Sequence, residues 1–225
     1  DVLLRDANGD GEYDRLDPDE VVIASLGSAV PYTDSLIAST GVIPQFNAPL
    51  AAFLLLGAVV YVPVYTVWLK PRTPLNIVIG GFAGSAAVLS GSAAVGNWSE
   101  PSAIILALLV FLWTPTHFWS LAIVYREDYA RGSFPMLPVQ VAPRPAAWWV
   151  MLHTAGTVLA ALALAAHPAL GWLYFLPVGL ASAYLLARNV RLLIQPTARQ
   201  SYALFHTSNI YLALVLLMAC LDAVL

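Results

Sequence analysis

From residue 47 onward the apolar positions come in long unbroken runs. Six stretches, 49–69, 76–95, 102–124, 146–166, 170–187 and 203–224, each reach or approach the roughly 20 mostly apolar residues needed to cross a hydrocarbon core. The segments between them are turn-forming or charged: "KPRTP", "GNWSEP", the longer 125–145, "HPALG" and "RNVRLLIQPTARQ". Backbone groups in lipid have to bond within the segment, so the spans are predicted to be helices rather than open sheets. The expected fold is all-α, a polytopic transmembrane bundle with six spans over 47–225. Residues 1–46 contain no comparable run and are expected to form a separate acidic, poorly helical tail or linker.

Composition sharpens this picture. Only 10% of the 225 residues are charged, against about 25% in soluble domains, and the mean hydropathy is +0.75. A helix-rich soluble core is disfavoured because too few polar residues remain to cover its outside. The net charge of −3 is not a property of the whole chain: nine of the thirteen acids lie between Asp1 and Asp34. No nucleic-acid partner is suggested; membrane lipid is. A single cysteine, Cys220, rules out a disulfide framework or a cysteine-rich metal site. The chain begins with Asp rather than Met and without a signal peptide, so a fragment or a processed product is expected.

The basic residues sort by side. Lys70 and Arg72 follow the first span; Arg126, Arg131 and Arg144 follow the third; Arg188, Arg191 and Arg199 separate the fifth from the sixth. With alternating spans all eight fall on one face, while "GNWSEP" and "HPALG" hold no Lys or Arg. The positive-inside rule makes that face cytoplasmic, in an inner or plasma membrane, and places 125–145 there.

The densest chemistry stands at the end of the third span, in "WTPTHFWSLAIVYREDYARGSFPMLP" from Trp113 to Pro138. Trp113 and His117 are four apart and share a helix face, and Pro115 removes a backbone donor between them. Tyr125, Arg126, Glu127, Asp128 and Tyr129 then emerge at the water boundary. An aromatic belt explains the Trp and Tyr residues taken singly, and topology explains the arginines. Acids beside arginines, followed by a proline-rich reversal, point further, to a charged lid over an apolar cavity.

The stretch "FLWTPTHFWSLAIVYREDYARGSFPMLPV" resembles the signature of the protoheme IX farnesyltransferase (haem O synthase) family of intramembrane prenyltransferases. "VYTVWLKPRTPLNIVIGGFAGS" and "ARQSYALFHTSNIYLALVLLMACLD" are similar to further stretches of that family, in the expected order over about residues 47–225. The resemblance implies a nine-helix bundle of which helices four to nine are present. It also implies transfer of a farnesyl group from farnesyl diphosphate to a vinyl group of protohaem, making haem O for terminal oxidases. Haem A synthase or oxidase assembly proteins are then expected partners.

In that chemistry Mg²⁺ on carboxylates, helped by Lys or Arg, neutralises the leaving diphosphate. Apolar and aromatic walls shield the allylic cation. The resemblance carries Asp128, assisted by Glu127, onto the magnesium role, with Arg126 and Lys70 in catalysis and Arg72, Asn76, His117, Tyr125 and Arg131 in substrate binding. Thr73 joins Asn76 in orienting the basic pair. His117, as an ionisable residue inside a span, is a functional candidate in its own right; His153, His167 and His206 are weaker ones.

The family's first acidic motif, with Asn and Asp four apart before its third helix, has no match here. A truncated relative, weakly active or inactive alone, is therefore expected. A non-catalytic membrane haem-binding or assembly scaffold is the alternative, and a quinone or chlorophyll prenyltransferase fits the third-span motif less well. In the tail, Asp6, Asn8, Asp10 and Asp14, with Asp17 at the twelfth position, follow a calcium-loop pattern. A solvated acidic linker explains the same residues without Ca²⁺. Residues 21–43 form a poor span, being interrupted by Pro31 and Asp34; the resemblance implies a third helix there, which makes a degenerate crossing the alternative.

Overall fold

The computed structural model describes Leu4–Arg5, Asp14–Arg15 and residues 47–224. The chain divides into two compact units, Asp1–Gln45 and Phe46–Leu225. In the first, strand β1 (Leu4–Arg5) pairs antiparallel with β2 (Asp14–Arg15), Leu4 opposite Arg15 and Arg5 opposite Asp14. Asp14, the fourth calcium-loop candidate, is thus a strand residue. Asp6, Asn8, Asp10 and Asp17 lie outside the described residues, as does the stretch 21–43.

The second unit is helical. Helix α1 (Ala48–Val59) runs on without a break into ten π-helical residues, Val60–Leu69. After it come α2 (Asn76–Ala94), α3 (Pro101–Val124), two short helices α4 (Arg126–Arg131) and α5 (Leu137–Gln140), then α6 (Pro143–Leu164), α7 (Trp172–Ile194) and α8 (Ala198–Val224). Among the described residues six helices are long and apolar enough to span a membrane, as the hydropathy pattern predicts. The chain is an integral membrane protein.

Local chemistry fixes the helix ends. The Asn47 side chain accepts from Leu50 N at 2.8 Å and donates to Ala93 O at 2.6 Å, starting α1 and tying it to the far end of α2. Pro101 and Pro143 open α3 and α6, where a missing N–H leaves nothing unsatisfied. No side chain at the start of α7 caps it. Asp222 of α8 does so instead, accepting from both Gly171 N and Tyr174 N.

Helix α3 is the hub, packing on α2, α6 and α8, while α7 packs on α6 and α8 and α1 lies against α2. Lipid tails give helices little hydrophobic reason to associate, so small residues and interhelical hydrogen bonds carry the packing. Tyr174 donates to Ala161 O at 2.8 Å, Ser182 bonds Tyr211 at 2.9 Å, Asn189 donates to Thr154 at 2.6 Å and Trp113 to Ser208 O at 2.8 Å. A side chain at Gly81 would stand 3.2 Å from the Phe111 ring and 3.3 Å from its carbonyl, which is how closely α2 and α3 approach.

Two expected boundaries are corrected. The fifth span does not stop at 187, and the sixth does not wait until 203. Helix α7 continues through Arg188 and Arg191 to Ile194, and α8 begins at Ala198, leaving a connection of 195–197. Arginine counts against a span in hydropathy, yet it is a good helix former with a long apolar stem that carries its charge to the boundary. The predicted loop 125–145 likewise contains two short helices, α4 and α5.

Replacing Asp222 with Ala should leave two N–H groups of α7 without acceptors and cost about 1 kcal/mol of stability, read by unfolding in mixed micelles. Asp222→Asn, which keeps an acceptor, should recover most of that loss. Equal stability of the Ala variant and the parent would contradict the cap.

Candidate functional site

A cavity of about 290 Å³ opens at the basic end of the bundle, between α1, α2 and α3 and beneath the α4–α5 segment. Each wall has a structural reason. From α1 and its π-helical extension come Tyr61, Tyr65, Thr66 and Lys70. The π bonding is direct: Lys70 N donates to Tyr65 O at 2.8 Å, five residues back. The Thr66 hydroxyl donates to Tyr61 O at 2.7 Å across the same interval. Pro63 sits inside the segment; its ring would clash with the carbonyl four residues earlier in an α-helix, and the wider turn relieves that clash.

From α2 come Ile77 and Gly80. A Cβ on Gly80 would lie 2.8 Å from Tyr65 Cδ2 and 3.2 Å from Cγ, so only glycine lets the Tyr65 ring lie flat against α2. Tyr65 in turn stacks on Tyr61 with centroids 5.9 Å apart. From α3 come Thr114 and Phe118, with the Thr114 hydroxyl bonded to Val110 O of its own helix at 2.7 Å.

The α4–α5 segment closes the mouth with Tyr129 and Met136. It turns back at Ser133, whose φ of 57° is left-handed, a conformation uncommon outside glycine. Phe134 N then donates to Tyr129 O at 3.0 Å. The reversal sets the Phe134 ring beneath Lys70, whose Nζ stands 5.2 Å from the ring centroid. The ammonium is thus held at the cavity mouth by a cation–π contact, and among the described residues it has no carboxylate partner.

The other sequence-predicted residues are distributed as follows. Arg72, next to the mouth, donates to Val67 O at 3.1 Å and Trp68 O at 2.8 Å, capping the last turns of the π segment. Asn76 is fully buried; its Nδ2 donates to Thr73 O at 2.7 Å while its Oδ1 has no partner. Asp128 pairs with Arg131 at 3.0 Å, both largely exposed, and Glu127 and Tyr125 are exposed beside them. Arg126 reaches Val141 O at 3.4 Å and lines a separate cavity of about 100 Å³.

His117 lies outside the Lys70 cavity, its ring 4.5 Å from Trp113 and 4.6 Å from Phe205, with Nδ1 unpartnered. His153 packs edge-on against Trp119. His206 packs against Tyr202 and Phe205, and His167 turns the chain at the opposite end by accepting from Ala169 N at 3.2 Å. The structure therefore brings Lys70 to the cavity, together with Tyr61, Tyr65, Thr66, Gly80, Thr114, Phe118, Tyr129 and Met136, none of which was singled out as a site residue from the sequence.

A third cavity, of about 480 Å³, lies at the opposite end, with Glu100 and His167 in its lining and no Lys or Arg. Of these cavities, the one holding Lys70 and the one holding Arg126 suit an anionic ligand. Among the described residues no three His, Cys, Asp or Glu side chains converge on a point. Asp128 and Glu127 nevertheless suit Mg²⁺, which commonly keeps water and takes one or two carboxylates together with substrate phosphate oxygens.

A protoheme IX farnesyltransferase of Metallosphaera sedula is 46% identical over 169 residues, covering 75% of this chain and 59% of the relative. One of Sulfolobus acidocaldarius is 46% identical over 179 residues, 80% of this chain and 62% of the relative. One of Saccharolobus islandicus is 38% identical over 196 residues, 87% and 64%. The chain spans about three-fifths of the length of these curated relatives. No solved structure matches. The UbiA prenyltransferase family model matches residues 22–216, starting earlier than the 47–225 stretch that carries the sequence resemblance. With that match over most of its length, the chain belongs to the UbiA prenyltransferase family.

Proposed function

We propose that this protein serves the transfer of a farnesyl group from farnesyl diphosphate to a vinyl group of protohaem. The supporting observation is the cavity itself: an aromatic and apolar chamber within the spans, with one ammonium, Lys70, held at its mouth. The names of the relatives supply the substrate pair. The basic end is assigned to the cytoplasm from its arginines and lysine.

The residues divide the work by position. Lys70 meets the diphosphate as the allylic C–O bond breaks and the electron pair leaves with oxygen, stabilising charge that grows in the transition state. Arg126 and Arg131 stand on the same face for further diphosphate or haem propionate contacts. Tyr65, Phe118 and Tyr129 present ring faces and edges to the allylic cation and keep water from it. The vinyl π electrons then form the new carbon–carbon bond, and the charge passes to the haem side chain, where a water molecule adds and releases a proton to leave a hydroxyl. Mg²⁺ bound by Asp128 and Glu127 would supply additional neutralisation of the diphosphate.

Binding tests the reading directly. In nanodiscs the chain should bind farnesyl diphosphate well above farnesol, and Lys70→Ala should weaken the diphosphate about 10- to 100-fold while leaving farnesol unchanged. Equal affinity for the diphosphate and the alcohol would overturn the proposal.

Asp128→Asn breaks only an exposed ion pair worth at most about 1 kcal/mol, so the protein should stay folded. It should, however, lose the magnesium-dependent part of diphosphate binding and any farnesylated haem seen by mass spectrometry. Unchanged magnesium dependence would remove Asp128 from the site.

A further inference from the structure

The π register of Val60–Leu69 decides which side chains the cavity receives. Tyr61 and Lys70 are nine residues apart, about 2.5 turns of α-helix at 3.6 residues per turn, which would put them on opposite sides. The same nine residues make about two turns of a helix bonded i→i+5, which puts Tyr61, Tyr65, Thr66 and Lys70 on one side. That is the arrangement observed, since all four line the cavity. π-helical turns are usually single and tend to occur at functional sites; this run is ten residues long.

The register also sets depth. Lys70 marks the mouth, and Tyr61 lies nine residues further into the membrane along the helix, roughly 13 Å at the α-helical rise and less where the turns are wider. Thr114, also well inside its span, borders the same end of the cavity but spends its hydroxyl on Val110 O. Tyr61 is the bulky group there, its ring steadied by the stack on Tyr65, which Gly80 allows to lie against α2.

On the reading of the cavity as a prenyl diphosphate site, we infer that Tyr61 sets the length of prenyl chain accepted and that the Pro63-bearing π segment is what aims it. A diphosphate held at Lys70 runs its isoprenoid tail toward Tyr61, whose ring ends the space for further isoprene units. Tyr61 is therefore a specificity-determining residue and Pro63 a positioning one.

The test compares binding of geranyl, farnesyl and geranylgeranyl diphosphate to the full chain in nanodiscs. Tyr61→Ala should shift the geranylgeranyl-to-farnesyl preference at least about tenfold toward the longer chain, and Tyr61→Trp should shift it toward geranyl. Tyr61→Phe, which keeps the ring, should leave the preference unchanged. Pro63→Ala, by letting the segment relax toward α register, should reproduce the Tyr61→Ala shift with Tyr61 still present. Tyr61 is 58% exposed, so none of its substitutions disturbs a packed core. An unaltered preference in both the Ala and Trp variants overturns this inference alone. Failure of the parent chain to bind any of the three diphosphates overturns the proposed function and this inference with it.

Discussion

A bilayer interior offers a backbone N–H no partner except another part of the chain, and most of this structure follows from that. It makes each span a helix and forces helix ends to be capped by whatever is near, as Asp222 of α8 caps α7. It also leaves a helix that meets an obstacle in mid-membrane few ways to respond. At Pro63 the first helix loses a backbone donor and cannot unwind into lipid; α3 and α7 stay α-helical through Pro115 and Pro177, and here the response is a run of π turns instead. Widening its turns keeps the backbone bonded, with Thr66 adding a side-chain bond to the carbonyl of Tyr61.

That response has a chemical consequence. A straight α-helix would spread Tyr61, Tyr65, Thr66 and Lys70 around its circumference; the π segment lines them along one wall. The opposite wall is shaped by absence of bulk, since Gly80 leaves room for Tyr65 and Gly81 lets α3 approach with Thr114. The mouth is shaped by the left-handed Ser133, which returns Phe134 to Lys70. A proline, two glycines and one reversed serine therefore place the aromatic surfaces and the single ammonium. The residues that would do the chemistry are held by residues that would do none.

This division explains what could be read in advance. The six spans and the gathering of basic residues at one end were legible because hydropathy and charge are summed over many positions, and errors at single residues average out. Helix ends were less legible where a charged residue continues a helix: Arg188 and Arg191 read as a loop, although the α7 backbone passes straight through them. Lys70 could be picked out as a charge at a boundary. Tyr65, Phe118 and Thr114 could not, because in a uniformly apolar span nothing in the pattern says which side faces a cavity and which faces lipid. Rotational register was the missing quantity, and in this chain a change of helix type resets it midway along a span.

Charge was legible in kind but not in partnership. The sequence groups Arg126, Glu127, Asp128 and Arg131, and the structure gives its members different neighbours. Asp128 and Arg131 neutralise one another in solvent, while Arg126 turns to Val141 O and a different small cavity. Lys70 is left over the Phe134 ring without a carboxylate. An ammonium held by an aromatic face keeps most of its field available, whereas one held by a carboxylate spends it. On the proposed reading, that difference leaves Lys70 the cation within the cavity lining whose field is free for an incoming diphosphate.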